Sequence, residues 1–411
     1  MSWAAWLCET TTGRIGPQVP LLDGSKATDE LGAAGSWTIV CPGDWLDTVA
    51  RRWWYPWAAS ALICHDAADG AGWMPVMYGP VTAMPSANMG PHGETGMPAT
   101  IAGQGLRALL DRRIITGWRD WDGTSGTWDL QHEQVTWTRM SLGSIVDRII
   151  RTATARTAGR LPISYRPELS QEGMPDDDGH RRTYTASNLS NNSAGKLIDD
   201  LSGCQGGPDV ALRPAFVAPA DGMRPDYVTV EVHHGVEGQP QIPQAVQRVW
   251  DATRPAGNIV DAKVTTDASK MYTRSWATGA GEDADILMDV RQNTAAHAAG
   301  LPLMEQTKSY QSVTRHGTLL DHIDADLAAA ARPAVQWQVT ADACAPGTRP
   351  VTDWRVGDRV TLVVPQTRSY ARLEDGPDRP APPAGREVLA TTIAADYDMA
   401  TETITVKMQE D

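Results

Sequence analysis

Phenylalanine is nearly missing from this 411-residue chain: Phe216 is the only one. Lysine is almost as scarce, six among 36 basic residues, the rest being arginine. Both have AT-rich codons, whereas the frequent Arg, Ala, Gly, Pro and Trp have GC-rich ones, so the skew points to a GC-rich genome. Several of the 16 tryptophans are then expected in core positions that another genome would fill with phenylalanine. No run approaches the ~18 consecutive apolar residues of a membrane helix, so stable membrane insertion is not expected. The opening MSWAAWLCETTTGRIG has neither a basic segment nor a long apolar one, so no signal peptide is expected, and folding in a cytoplasm is. Positive charge is in the minority. The net charge is −14 and the pI is near 5.1, the reverse of a dedicated nucleic-acid binder, so sequence-specific nucleic-acid binding is not expected. Cysteines are few and scattered. Cys8, Cys41, Cys64, Cys204 and Cys344 contain no C-x-x-C pair, and their odd number argues against a disulfide framework or a zinc ribbon. Buried free thiols are expected instead.

Catalytic patterns are also incomplete. His132-Glu133 opens HEQVT, but the second metal-binding histidine of a metalloprotease would fall on Thr136. Ser193-Ala194-Gly195-Lys196 resembles the end of a phosphate loop, but Ser190 stands where the first glycine belongs and Leu197 where Ser or Thr belongs. Asp176-Asp177-Asp178-Gly179 hints at calcium, but position 187, which should hold the closing glutamate, is serine. His233 and His234 are neighbours on a predicted strand, so they point to opposite faces. His316 and His322 fall on different sides of a predicted helix. There is no G-x-S-x-G. Asp120/Asp122 and Asp199/Asp200 are carboxylate pairs of the kind any acidic surface offers. No catalytic residue, cofactor or metal ligand is assigned.

What is present is pattern. Ser36–Cys41 and Ser60–His65 are compact apolar runs bounded by turn residues, and Trp3–Thr10 alternates weakly. Met77–Val81 is interrupted by Gly79-Pro80, which suggests a bulge or barrel corner. A short helix is predicted within Gln104–Ile115. The many short strands argue for a small barrel or sandwich over residues 1–117. Ser141 then reads as a helix cap, followed by Leu142, Ile145, Val146, Ile149, Ile150 and Ala153 at helical spacing. A polar loop is expected over 170–182. Ser193 caps a second helix with Ala194, Leu197, Ile198 and Leu201 on one face. Val228, Val230 and Val232 alternate with Thr229, Glu231 and His233. These elements make residues 118–250 an α+β domain. Strands return at Asn258–Val264 and Lys270–Ala277, and a helix over Thr318–Ala331 buries Leu319, Leu320, Ile323 and Leu327. Val335–Thr340, Val356–Val364 and a terminal hairpin of Val388–Tyr397 with Thr403–Met408 complete the chain, beyond a Pro-rich loop at 374–385.

Twelve of the tryptophans lie before residue 138. Trp53, Trp54 and Trp57, with Tyr55 and Pro56 between them, form the densest cluster. Core packing, a subunit interface and sugar stacking all use such residues; the cluster is carried forward as a candidate interface.

The ordered blocks GSWTIVCP, SALICHDA, VMYGPV, GQGLRALLDRRI, SLGSIVDRII, AGKLIDDLSGCQGGPDVALRP, NIVDAKVTTDASKMYTRSW, TLLDHIDADLAAAARP and DWRVGDRVTLVVP together resemble the tail-tip (baseplate) hub proteins of long-tailed bacteriophages, often called minor tail proteins in actinobacterial phages. The resemblance spans nearly the whole chain. It departs at the Trp-rich N-terminal segment and the 374–385 loop. It implies a mainly β fold with an α+β insertion: two small β-barrel domains plus an α+β domain. The first barrel would be 1–117 and the α+β domain 118–250. Residues 251–345 would form a mixed segment contributing to the second barrel, which 346–411 would complete. It also implies a homotrimer in a virion tail, assembled in the host cytoplasm. Its expected partners are a distal tail protein ring, a tape-measure protein and other tip or fibre proteins, and DNA would pass through without sequence-specific binding. An acidic lumen would suit that passage. The alternatives are a distal tail protein forming a hexameric ring, a tail-associated murein hydrolase, and a sugar-binding receptor module.

Overall fold

The first strand, β1 (Trp3–Glu9), is buried along nearly its whole length. Trp3, Ala5 and Leu7 enter one apolar cluster, and Ala4, Trp6 and Cys8 enter another. Its antiparallel partner β5 (Ala59–His65) divides likewise, with Ala59, Ala61 and Ile63 on one side and Leu62 and Cys64 on the other. Flanked by β2 (Ile15–Val19) and β6 (Met74–Pro80), they form a sheet ordered β2-β1-β5-β6. This explains the weak alternation of the first strand: a strand covered on both faces has no polar side. The expected break at Gly79-Pro80 is corrected. The strand runs through Pro80, and its register shift lies earlier, at Val76, between the Ile63–Met77 and Cys64–Pro75 pairs. Gly79 permits close approach instead, since a Cβ there would sit 2.1 Å from the Gln104 carbonyl oxygen.

The computed structural model describes residues 2–410 apart from 69, 71, 88–96, 118–131, 176–178, 205, 218–224, 255–256, 282–284, 312 and 365–385. A ten-stranded sheet packs on one face of β1 and β5. Its path runs β15 (Ile259–Asp267), β19 (Ala334–Asp342), β22 (Thr403–Glu410), β21 (Arg386–Asp398), β3 (Lys26–Glu30), β4 (Ser36–Pro42), β8 (Pro98–Gly103), β7 (Ser86–Ala87). A branch adds β20 (Arg359–Val364) beside β21 and β14 (Arg248–Asp251) parallel to β20. Residues from both ends of the chain therefore share one sheet, joined where β21 pairs with β3. The predicted terminal hairpin is present, and Ile404, Val406 and Met408 are all buried on one face. Trp37, Trp250 and Trp354 are among the largest fully buried side chains of this core, as the scarcity of phenylalanine leads one to expect. Short helix α1 (Gly43–Thr48) follows β4.

The other face of β1 and β5 is covered by helices. The predicted helix within Gln104–Ile115 is the single turn α2 (Arg107–Leu110). Helix α3 (Leu142–Thr154) starts at Ser141, whose side chain accepts from the Ser144 amide at 3.2 Å, and buries all six residues of the predicted face. Helix α4 (Ala194–Ser202) is capped by Ser193 in the same way and buries its predicted face as well. Strand β9 (Gln134–Met140) pairs with β11 (His180–Thr185), and β10 (Ile163–Tyr165), β13 (Val228–His234) and β12 (Val210–Phe216) make a third sheet. Residues 180–182, expected in a loop, begin β11; their polar sequence hid a strand with only one buried residue, Tyr184. A smaller unit holds β16 (Arg274–Thr278), β17 (Met288–Gln292), β18 (Glu305–Ser309), α5 (Thr294–Ala298) and α6 (His316–Ala330) around Ala277, Val313, Leu319 and Ile323. Helix α6 departs from its apolar prediction: Leu320 and Leu327 are half-buried, while His322 and Asp326 are buried. The fold is mainly β with α+β parts. Of residues 251–345, β15 and β19 join the large sheet, whereas β16 to β18 and α6 stand apart from it.

Two-sided burial of β5 predicts that neighbouring residues of opposite orientation matter equally. Leu62→Ala and Ile63→Ala should each cost about 2–5 kcal/mol in chemical denaturation. Val260→Ala, at a side chain 68 % exposed, should stay within about 0.5 kcal/mol. A harmless change at either β5 position would contradict the two-core arrangement.

Candidate assembly interface

The predicted tryptophan cluster lies between α1 and β5. Trp53 rests on Gly16, where a Cβ would come within 2.4 Å of its ring. It packs against the main core, as does Trp54, whose indole N–H donates to the Val49 carbonyl at 3.2 Å. Trp57 adopts a left-handed backbone, φ 66°, and its amide donates to the Val81 carbonyl at 2.8 Å. All three tryptophans are half-buried, and Tyr55 between them is 49 % exposed. Arginines cover the outer faces: Arg52 over Trp53 at 5.1 Å, Arg51 over Tyr55 at 5.5 Å and Arg112 over Trp57 at 4.3 Å. A surface of half-buried aromatics under guanidinium groups has the composition of a binding hot spot.

Two sheet edges form a second candidate surface. Strand β15 ends the ten-stranded path, and among the described strands β14 pairs only with β20. Their neighbourhood holds the three most exposed large apolar side chains described: Val260 at 68 %, Val249 at 63 % and Val246 at 57 %. Such edges present unpaired backbone groups to another chain, and Asp261, Lys263 and Asp267 restrict which chain can pair.

Charged joints hold the parts in register. Arg107 on α2 is 6 % exposed and donates to the Gly32 carbonyl at 2.6 Å, the Gly195 carbonyl at 2.8 Å and the Asp199 carboxylate at 2.5 Å. It thus links the β3–β4 turn to α4. At a second joint Arg213 on β12 donates to the Val356 carbonyl at 3.0 Å and to Asp358 at 2.8 Å. Burial, with Arg213 nearby, pulls the Arg355 guanidinium down to about 10. Asp29 keeps part of its surface exposed but lies deep among protein atoms; that enclosure pushes its carboxyl up to about 6 against the pull of Arg213 and Arg355.

Those of the catalytic candidates that are described have the following surroundings. His132-Glu133 precedes β9 and is not on an α-helix, which the metalloprotease pattern requires. Ser193 is a helix cap, and the Lys196 ammonium bonds Asn191. His233 faces Glu231 at 3.0 Å, and His234, on the opposite face, lies 3.7 Å from Asp147. His316 pairs with Asp289 at 2.5 Å. Asp199 is held by Arg107, and burial pushes Asp200 up to about 6. Asp120/Asp122, Asp176–Asp178 and the 374–385 loop lie outside the described residues.

Tertiary structure also makes a Cys–His contact that no motif announces. Cys204 Sγ lies 3.4 Å from His322 Nε2, beside a cleft of about 630 Å³ lined by Arg182, Tyr184, Asp200 and Arg315. His322 stacks on Tyr310 at 4.1 Å, and Tyr310 donates to Asp326 at 2.7 Å. Burial pushes the Cys204 thiol up, and burial with the Arg182 charge holds the imidazole down to about 4. Both shifts run against a resting thiolate–imidazolium ion pair.

The depressed imidazole has a consequence for stability. The unfolded chain protonates His322 near its ordinary 6.5 and the folded chain only near 4. Its stabilising share is therefore complete above about pH 6.5 and is lost as pH falls toward about 4. The wild type should lose denaturation midpoint relative to His322→Gln between those values; a pH-independent difference would contradict the assignment.

No family model and no curated protein sequence matches the chain. Solved structures do. The 43 kDa tail protein of prophage MuSo2 from Shewanella oneidensis is similar over 99 % of this chain and 98 % of its own, with 10 % identity and a TM-score of 0.53. The tail protein from Neisseria meningitidis MC58 is similar over 100 % of this chain and 97 % of its own, with 12 % identity and a TM-score of 0.52. The chain therefore has the fold of these tail proteins, in agreement with the resemblance read from its blocks.

Proposed function

We propose that this chain is a non-catalytic structural hub at the distal end of a phage tail. The observation that carries the reading is the whole-chain likeness in fold to two tail proteins, one of them from a prophage. In this reading it forms a homotrimer with two related barrel domains per chain, matching a hexameric distal tail protein ring. It closes the tube around the tape-measure protein and lets DNA pass on infection. The edges at β14 and β15 and the Arg-covered aromatic segment at Trp53, Trp54 and Trp57 are the surfaces through which neighbours attach. The net charge of −14 suits a lumen that repels phosphate.

Reconstruction of the virion tests the placement. Three copies at the tail tip are expected; six copies in a ring would assign the chain as the distal tail protein instead. Clear zones in host cell-wall zymography would overturn the non-catalytic reading. For the aromatic surface, Tyr55→Ala should leave the unfolding midpoint nearly unchanged, because the side chain is exposed. It should weaken self-association or ring binding at least about tenfold in mass photometry, as a hot-spot residue would. Unaltered association would remove this surface from the interface.

A further inference from the structure

Three residues far apart in sequence converge at the seam between the four-stranded and ten-stranded sheets. His65 ends β5, Cys344 lies in the turn after β19, and Glu402 occupies the β21–β22 hairpin turn. Cys344 Sγ is 3.9 Å from His65 Nε2 and 3.7 Å from a Glu402 carboxylate oxygen, and that oxygen is 3.9 Å from His65 Nε2. We propose that His65, Cys344 and Glu402 form a binding site for a divalent transition-metal ion of zinc type, clipping the N-terminal sheet to the C-terminal hairpin.

The donor set is one imidazole, one thiolate and one carboxylate, which suits a borderline-soft ion such as zinc. A tetrahedral zinc would hold its sulfur–nitrogen and sulfur–oxygen pairs about 3.6 Å apart and its nitrogen–oxygen pair about 3.4 Å apart, from the usual bond lengths. The three observed spacings exceed these by about half an ångström or less, so small side-chain movements would complete the shell. Three protein ligands leave a fourth position for water or an exchangeable group.

The surroundings orient the ligands. The Ser2 amide donates to the other Glu402 carboxylate oxygen at 3.0 Å, turning the remaining one toward Cys344 and His65. Such bonds to a ligating carboxylate are what set its direction at a metal. The Trp3 ring lies 4.6 Å from the His65 ring and restrains it. The Cys344 amide donates to Asp342 at 2.8 Å, fixing the turn that presents the thiol. Glu402 itself has φ 57°, a left-handed conformation that glycine adopts without strain and glutamate does not. The side chain of His65 is 1 % exposed and that of Glu402 34 % exposed, so an ion could enter from the hairpin side.

The test uses the reduced full-length protein, stripped with chelator and titrated with Co²⁺ and then Zn²⁺. We expect a single ion per chain, with thiolate-to-cobalt charge-transfer absorption in the near ultraviolet that zinc displaces. Cys344→Ser should abolish that absorption, and Cys204→Ser should keep it. Glu402→Gly relieves the left-handed strain, so it preserves the fold while weakening the ion by at least about tenfold. The proposal is overturned if the wild type shows no thiolate band, if the band survives in Cys344→Ser, or if Glu402→Gly binds as tightly as the wild type.

Discussion

Burial of β1 and β5 on both faces is the constraint from which the rest of the architecture follows. A sheet with two apolar faces cannot end a domain; each face needs a cover. The ten-stranded sheet covers one side, meeting Trp3, Ala5, Leu7, Ala61 and Ile63. Helices α3 and α4, with β12 and β13, cover the other, meeting Ala4, Trp6, Leu62 and Cys64. The central strands therefore bind the β-rich and α+β parts into one structure, although those parts come from distant stretches of chain. The pairing of β21 with β3 closes the same circuit by bringing the C-terminal hairpin beside N-terminal strands.

Apolar burial sets which layers meet, and it has no direction of its own. Register comes from a few buried charges. Arg107 reaches carbonyls on two different elements, and Arg213 reaches across to the turn before β20. Buried guanidinium groups have many donors to satisfy, so their partners can sit in few arrangements. The surfaces left over, at β14, β15 and the tryptophan segment, are those whose side chains found partial cover within the chain.

Much of this was legible beforehand where periodicity was strong. Both capped helices, the alternation of Val228, Val230 and Val232, and the terminal hairpin lie where spacing puts them, because each has one buried face and a clear cap or turn. Legibility failed where burial was not one-sided. Trp3–Thr10 alternates weakly because both faces of its strand are covered, and His180–Arg182, the start of β11, reads as loop because none of it is fully buried. Helix α6 misled in another way, since His322 and Asp326 occupy its buried face with polar partners that lie elsewhere in the chain.

The absence of enzyme motifs, the acidic charge, the mainly β character with an α+β insertion and the capped helices were determined by the sequence itself, since each depends on residue type or on spacing within about a dozen positions. Only the tertiary structure decided that the two chain ends share a sheet, that Cys204 faces His322, and that His65, Cys344 and Glu402 meet at one seam. Those contacts join residues 58 or more positions apart. Local pattern carries no information about them, because they are made when two-faced strands force distant segments together.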